Sequence, residues 1–268
     1  MKSCYLLKEV TFDSGLFDDC CNCAYVMTMS NSTRDFKTQL FTHKPHSKVI
    51  VQINSGYKNC YKLGITKPYQ DLVHSLRNVF IDAINKKYNR ILVFEDDFIM
   101  DKDKYTLEDI KEINKFVIKN NPHIYHLGSL FHFSLSIKKK HNKLIFSDMA
   151  HAIIYNKEYM IRFIQDYHKI LSKNKHIDTY WHSSLTKKYN FRKWSYHKPI
   201  VFQTFPMTEN KKEWANNVSI MNKLHKHLHL DTSHKNYTKV YKFCLYIPLM
   251  ILLLTLFIIL IILTLKTS

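Results

Sequence analysis

The chain has 268 residues, which suits one domain of catalytic size, or one domain plus an appendage, and 46% of them are hydrophobic, which excludes a disordered chain. The formal net charge is +18, but most of the positive charge is lysine, and glycine occurs only 4 times. This bias is typical of an AT-rich genome. A nucleic-acid site is more often rich in arginine and stacking aromatic residues, so we do not expect nucleic acid as a partner.

Six cysteines allow two interpretations. The cluster CCNC at residues 20–23 could suggest zinc, but no second CxxC or HxxxH follows it at a matching spacing. We therefore favour free thiols in a reducing compartment. The cysteines are Cys4, Cys20, Cys21, Cys23, Cys60 and Cys244.

Strand and helix patterns alternate along the first half of the chain. Residues 1–23 predict an irregular segment or a short edge element. Apolar runs predict strands at Ala24–Met29 and Lys48–Asn54. From Pro68 onwards the apolar residues recur at helical spacing, and proline suits the first turn of a helix. The run RILVFEDD then predicts a parallel strand that is buried on both faces.

The second half continues this alternation. TLEDIKEINKFVIKNN predicts an amphipathic helix with Thr106 as its N-cap and Asp109 completing a capping box. Further strands are predicted in HIYHLG, KLIFSDMAHAIIYN and KPIVFQT, and further helices in KEYMIRFIQDYHKIL and HIDTYWHSSLTKKY. The alternation predicts an α/β domain with a mainly parallel sheet flanked by helices.

The C-terminal end predicts a membrane anchor. Phe243–Leu265 carries no charge and has the length of a bilayer-spanning helix, although a buried core helix is the alternative. Tyr241 and Lys242 precede it as interfacial anchors would. We therefore divide the chain into an N-terminal segment (1–23), a catalytic domain (24–215), a basic polar linker (216–242) and a transmembrane helix (243–265).

This division predicts a single-pass protein anchored at its C-terminal end. The N-terminus has no apolar signal-peptide region, so we expect the body of the protein in the cytosol, on a viral or host endomembrane. Sequons at Asn31, Asn217 and Asn236 offer a test, because glycosylation at any of them would put the body in a lumen.

Three adjacent carboxylates end the apolar strand ILVFEDD. Ionised carboxylates repel one another and disfavour a dry environment, so Glu95, Asp96 and Asp97 need a partner. In an open α/β sheet, ligands bind beyond the carboxyl ends of the strands. Oxygen donors suit Mg²⁺ or Mn²⁺, which would also bind substrate phosphates. The alternative is an acidic strand end that only caps the following turn.

The motifs in order resemble glycosyltransferase family 25, the lipopolysaccharide-biosynthesis and collagen galactosyltransferase-like group. The similarity lies in YVMTMSNSTRDF, DLVHSLRNVFIDAINKKYNRILVFEDDF, HAIIYNKEYMIRFI, HIDTYW and KPIVFQTFPMTENKKEW, over roughly residues 24–215. Val73 stands where the family usually has Ser before His74. The resemblance implies a GT-A-type, Rossmann-like fold and a metal-dependent, inverting hexosyltransferase that uses a nucleotide-diphospho-sugar such as a UDP-sugar. The acceptor would be a hydroxyl of a glycan, protein or lipid.

The resemblance also implies roles for particular residues. Asp97 would be the main metal ligand with Glu95 in support, and Glu95 or Asp96 could hold the ribose. Arg34 could contact the diphosphate and His74 could line the donor pocket, unless they are a surface arginine and a helix-face histidine. The first candidate for the base that takes the proton of the acceptor hydroxyl is Asp178, which could instead be an N-cap. The second candidate is Asp148.

Two other functions stay open at this point. A decayed transferase fold could serve as a basic scaffold at a membrane surface, and the Val73 departure favours it. A nucleic-acid-binding protein would leave the EDD strand unexplained.

Overall fold

The computed structural model describes residues 3–130, 132–138, 140–147, 151–172, 180–203, 223, 226–230 and 235–267. The strands are β1 (Tyr5–Thr11), β2 (Cys23–Met29), β3 (Lys48–Asn54), β4 (Arg90–Glu95), β5 (Phe98–Met100), β6 (Ile124–His126), β7 (His132–Lys138), β8 (His141–Ser147), β9 (Ala152–Asn156), β10 (Lys193–Tyr196) and β11 (Val201–Gln203). The helices are α1 (Phe36–His43), α2 (Pro68–Asn85), α3 (Leu107–Asn120), α4 (Lys157–Ser172), α5 (Tyr180–Tyr189) and α6 (Tyr237–Thr267).

Nine of these strands form one mixed sheet in the order β1-β3-β2-β4-β9-β6-β10-β8-β7. The prediction of a mainly parallel sheet is wrong. Parallel pairs join β2 to β3, β2 to β4 and β6 to β10, whereas the other five described pairs of this sheet are antiparallel. Parallel neighbours need a long crossover, usually a helix, and the residues described between β6, β7, β8 and β9 form no helix. β9 therefore lies between β4 and β6 and runs antiparallel to both.

Helices cover both faces of the sheet, as the α/β prediction requires. One core contains the apolar sides of α1 and α3, including Phe36, Leu40 and Ile113. The other contains those of α2 and α4, including Phe80 and Phe163. The central strands β2 and β4 are buried between these layers, which explains why their sequences are almost continuously apolar.

Several predicted elements are confirmed. β3 covers the predicted Lys48–Asn54, and α2 begins at Pro68. Helix α3 follows Thr106, whose hydroxyl accepts from the Asp109 amide at 3.2 Å while the Asp109 carboxylate accepts from the Thr106 amide at 2.8 Å. The capping box is therefore present as predicted. The N-terminal segment contains β1, an edge strand paired antiparallel with β3.

The prediction of a C-terminal transmembrane helix is contradicted. Helix α6 starts at Tyr237, inside the predicted linker, and its first turns pack on the domain through Tyr237, Tyr241 and Cys244. The Tyr241 hydroxyl donates to the Tyr196 carbonyl at 2.5 Å. Side chains further along the helix, such as Phe257, are exposed. Among the described residues, no helix has both the length and the apolar character that a membrane span requires.

The cysteines also differ from the expectation of free thiols. Cys4 and Cys60 form a disulfide that links the residue before β1 to the loop after β3. Cys20, Cys21, Cys23 and Cys244 are free and buried.

Candidate functional site

The three carboxylates stand where β4 ends. Ile91 to Phe94 are buried between the two helix layers, and Glu95 is the last residue of the strand. Asp96 and Asp97 then form the turn into β5, where Phe98 packs on Phe94 with 4.4 Å between ring centroids. Burying these aromatic rings therefore holds the acidic turn at the carboxyl edge of the sheet.

A cavity of about 480 Å³ lies at this edge. The parallel strands β2, β3 and β4 all end there, and the chain goes from β2 to β3 on one side and then to β4 on the other. This reversal of strand order is the switch point at which open α/β sheets bind ligands. The lining includes Thr28, Asn31, Ser32, Thr33, Arg34, Asn54, Gly56, Tyr57, Lys58, Asn59, Asp71, Ser75, Glu95, Asp96, Asp97 and Gln203.

A larger cleft, of about 620 Å³, opens around Arg90, Asn121 and Arg162. Arg90 begins β4, so this cleft lies at the opposite edge of the sheet. We take the smaller cavity as the candidate site because it contains buried carboxylates at the carboxyl ends of the parallel strands.

Arg34 joins the two aspartates. Its Nη1 donates to Oδ1 of Asp96 and lies 3.4 Å from Oδ2 of Asp97. The other Asp96 oxygen accepts from the Thr28 hydroxyl at 2.6 Å, so both Asp96 oxygens have partners. Although burial opposes it, the neighbouring Asp97 and Asp96 carboxylates raise the pKa of Arg34. The guanidinium is therefore a fixed positive charge within the acidic turn.

Asp97 is the most unusual of the three acids. Its Oδ2 accepts from Nε2 of Gln203 at 2.7 Å. Its Oδ1 is buried, and no group of the described chain hydrogen-bonds to it. Burial raises the pKa of Asp97 to about 6, against the opposing effects of Arg34 and Gln203. A buried carboxylate oxygen without a partner is costly, and such groups concentrate at functional sites.

The opposite wall of the cavity is a loop held by buried polar contacts. The Lys62 ammonium pairs with Oδ1 of Asp71 and donates to Oδ1 of Asn54 at 2.6 Å. Oδ2 of Asp71 accepts from the Tyr57 amide at 3.0 Å, and Oδ1 of Asn54 accepts from the Gly56 amide at 2.9 Å. These contacts fix the backbone of residues 56–57 at the cavity.

The structure brings four of the predicted site residues together. Glu95, Asp96, Asp97 and Arg34 line one cavity, in agreement with the carboxyl-edge position expected from the sequence. His74 is not among the described lining residues. Its Nδ1 lies 2.5 Å from the Tyr5 hydroxyl, and burial, followed by Lys62 and Arg77, lowers its pKa.

The two predicted bases stay predictions. Asp148 and Asp178 lie outside the described residues. Val73, where the resembled family usually has Ser, is a buried core residue of α2.

The acidic turn offers few protein ligands for a metal. Across the described residues, no group of three or more His, Cys, Asp or Glu side chains is arranged to hold an ion. Asp97 nevertheless supplies a buried oxygen that has no partner within the described part of the chain, and carboxylate oxygen is the donor that Mg²⁺ and Mn²⁺ prefer. Magnesium commonly uses one or two carboxylates and completes its shell with water and substrate phosphates. The residues present therefore fit an ion of this kind.

Sequence reasoning missed Gln203 and Thr28 as site residues. Gln203 is 106 positions from Asp97 and reaches it because β11 pairs antiparallel with β5. The sequence predicted the late strand but gave no signal for its partner. Thr28 is the penultimate residue of a predicted strand, and its position opposite Asp96 follows only from the pairing of β2 with β4.

Replacing Arg34 with Gln should destabilise the protein by about 1–3 kcal/mol at pH 7.5, because two buried carboxylates would lose their shared cation. Arg34 lowers the pKa of Asp97, so its removal raises that pKa further above about 6. At pH 4 Asp97 is protonated with or without Arg34 and needs no cation. The loss of stability should therefore be smaller at pH 4 than at pH 7.5. Urea unfolding at both pH values measures this, with the exposed Arg192→Gln as control. An equal loss at both pH values would contradict it.

Comparison with known proteins gives no family assignment. No protein-family model matches the sequence, and no curated protein matches it. The resemblance to glycosyltransferase family 25 therefore rests on the quoted motifs, and function has to be argued from the site itself.

Proposed function

We propose that the cavity binds a nucleotide-diphospho-sugar and that the protein is a glycosyltransferase, transferring the hexose to a hydroxyl acceptor with inversion. One observation carries the proposal most directly. In the described chain, Oδ1 of Asp97 is a buried carboxylate oxygen without a hydrogen-bond partner, and it lies at the switch point of the sheet, beside Asp96 and Arg34. Nucleotides bind at this position in open α/β sheets, and such an oxygen calls for a ligand.

The charges of the site support an occupant that brings a divalent cation with an anion. Among the lining residues, Asp71, Glu95, Asp96 and Asp97 carry four formal negative charges, and Arg34 and Lys58 carry two formal positive charges. A diphosphate alone would be repelled by this excess of negative charge. Mg²⁺ or Mn²⁺, when bound, neutralises charge that develops on a leaving diphosphate. Asp97 would hold that ion with Glu95 in support.

The remaining residues then have distinct tasks. Arg34 and Lys58 line the cavity as cations that can bind phosphate oxygens. Gln203 and Arg34 orient Asp97 through its Oδ2, which leaves Oδ1 for the ligand. Asp96, held by Thr28 and Arg34, is suited to a ribose hydroxyl only if Arg34 shifts toward the phosphates. Asp178 and Asp148 stay predictions for the base.

A thermal-shift screen of nucleotide sugars with and without Mn²⁺ tests this proposal. We expect one nucleotide class to raise the melting temperature only when the metal is present, because ligand binding to the folded state stabilises it. Sugar transfer or hydrolysis of the nucleotide sugar should follow the same metal dependence. No metal-dependent shift with any nucleotide sugar would overturn the proposal.

A scaffold function is the second candidate, and the Arg34 contacts favour it. An arginine that already pairs with both aspartates could be a structural ion-pair cluster inherited from a transferase fold. This function predicts no nucleotide-sugar binding under any metal condition. The same screen therefore separates the two candidates.

A further inference from the structure

The loop between β3 and α2 forms one wall of the candidate site. Residues 55–67 contain no regular helix or strand. Gly56, Tyr57, Lys58 and Asn59 of this loop line the cavity, and Lys58 and Asn59 are exposed. The affinity of the cavity for any ligand therefore depends on how firmly this loop is held, because ordering a wall on binding costs free energy.

Two sets of contacts hold the wall at its two ends. At the first end, the amides of Gly56 and Tyr57 donate to Asn54 and Asp71. At the second end, the amides of Asn59 and Cys60 donate to the Gly56 carbonyl at 3.2 and 2.9 Å, and the disulfide ties Cys60 to Cys4. The Lys62–Asp71 pair anchors the chain only two residues later. The disulfide is thus the covalent anchor closest to the lining residues.

This disulfide differs from the other cysteines in exposure. Cys4, just before the edge strand β1, and Cys60, in the loop after β3, are half-buried, whereas the four free cysteines are buried. A reductant in solution therefore has access to the Cys4–Cys60 bond.

We propose that the Cys4–Cys60 disulfide is a redox-sensitive anchor of the cavity wall, so that reduction loosens residues 56–60 and weakens ligand binding. The proposal rests on the proposed function for the identity of the ligand, a nucleoside diphosphate. It concerns the regulation of the same site by the redox state of its surroundings.

The chemical step needs a dithiol. One thiolate of the dithiol attacks a disulfide sulfur, which breaks the Cys4–Cys60 bond and forms a mixed disulfide with the other cysteine released as thiolate. The second thiolate then displaces the protein sulfur and closes the dithiol into its own disulfide. Two electrons pass to the protein, and Cys4 and Cys60 each take up one proton.

The first test compares affinity for UDP with Mg²⁺ in the full chain before and after treatment with dithiothreitol. Reduced protein should bind about five- to tenfold more weakly, because the wall must be ordered on binding. The Cys4→Ser/Cys60→Ser double variant should bind as weakly as reduced protein and should not respond to dithiothreitol. Cys244→Ser, which alters a free cysteine on α6, should keep the response. Measurable binding that is equally tight in oxidised and reduced protein would overturn the proposal.

The second test does not depend on the ligand. Amide hydrogen exchange of Tyr57 and Cys60 should become at least about tenfold faster on reduction, while Ile53 in β3 keeps its rate. Unchanged exchange at both loop amides would show that the disulfide does not hold the wall. If oxidised protein binds no nucleotide but the loop amides respond, the proposed function has failed and the redox-sensitive wall stands.

Discussion

Replacing Asp97 with Asn should abolish metal-dependent nucleotide binding and yet stabilise the protein at neutral pH. The loss of binding follows from the removal of the one buried carboxylate oxygen that has no partner in the described chain. We expect affinity to fall at least about 100-fold, because a neutral amide cannot replace a charged ligand to a divalent cation.

The gain in stability follows from the pKa of Asp97. Burial raises this pKa from 3.8 to about 6. Between these two pH values the unfolded chain releases the proton while the folded protein keeps it, so stability falls as pH rises through this window. Above pH 6 Asp97 is ionised in the folded protein as well, and the full cost of burying its charge is present. Asn carries no charge, and Asp97→Asn should therefore be more stable by about 1–3 kcal/mol at pH 7.5.

Urea unfolding at pH 7.5 and at pH 3.5 measures the predicted difference. At pH 3.5 Asp97 is protonated, so the variant and the wild type should differ little. Asp103→Asn is the matched control because Asp103 is an exposed acid in the turn region after β5. A variant that is less stable than wild type at pH 7.5, or that still binds nucleotide with metal, would show that Asp97 is a structural acid.

Replacing Lys62 with Met should cost about 3–5 kcal/mol of stability, the largest loss that we predict. The Lys62 and Asp71 side chains are 2% and 5% exposed, and they pair directly. Removing the ammonium leaves the Asp71 carboxylate buried without its cation, which is more costly than the ion pair is favourable. The loss of the ammonium would also weaken the hydrogen bonds that Asn54 and Tyr57 donate to Asp71.

A double-mutant cycle separates the pair from its surroundings. Lys62→Met combined with Asp71→Asn should recover most of the stability, because no unpaired charge then stays buried. Lys86→Met is the control, since Lys86 forms an i,i+4 pair with Asp82 at the surface and should contribute at most about 0.5 kcal/mol. If Lys62→Met cost no more than Lys86→Met, the buried pair would not anchor the loop.

The two variants also differ in what they do to the site. Asp97→Asn removes the proposed metal ligand and leaves the contacts of the loop intact, whereas Lys62→Met weakens the contacts of the loop and leaves Asp97, Arg34 and Asp96 in place. Nucleotide binding that is lost in Asp97→Asn and only weakened in Lys62→Met would support a site in which the ligand atoms and the contacts that hold the loop lie on separate elements.

Local signals in the sequence were reliable wherever a few neighbouring residues determine the structure. The capping box at Thr106 and Asp109 depends on side chains three positions apart, and it forms as expected. The apolar run before Glu95 gave a buried central strand, since a strand that is covered on both faces must be apolar throughout. The position of the EDD triplet at the carboxyl edge followed from that strand.

Long-range pairing decided the rest. The hairpin of β7 and β8 and the antiparallel entry of β9 could not be derived from the strand and helix alternation, because pairing direction depends on which distant strand lies beside which. The C-terminal segment showed the same limit: its composition predicted an anchor, but the first turns of α6 pack on the sheet through Tyr237 and Tyr241.

The sequence by itself determined the α/β class, the main elements and an acidic turn that needs a partner. Only the tertiary structure decided what surrounds that turn. Gln203 reaches Asp97 across 106 residues, and Cys60 reaches Cys4 across 56. The reason is physical. Strand and helix propensities act over a few residues, whereas the partners of a buried charge depend on how distant strands and loops pack beside one another in the fold.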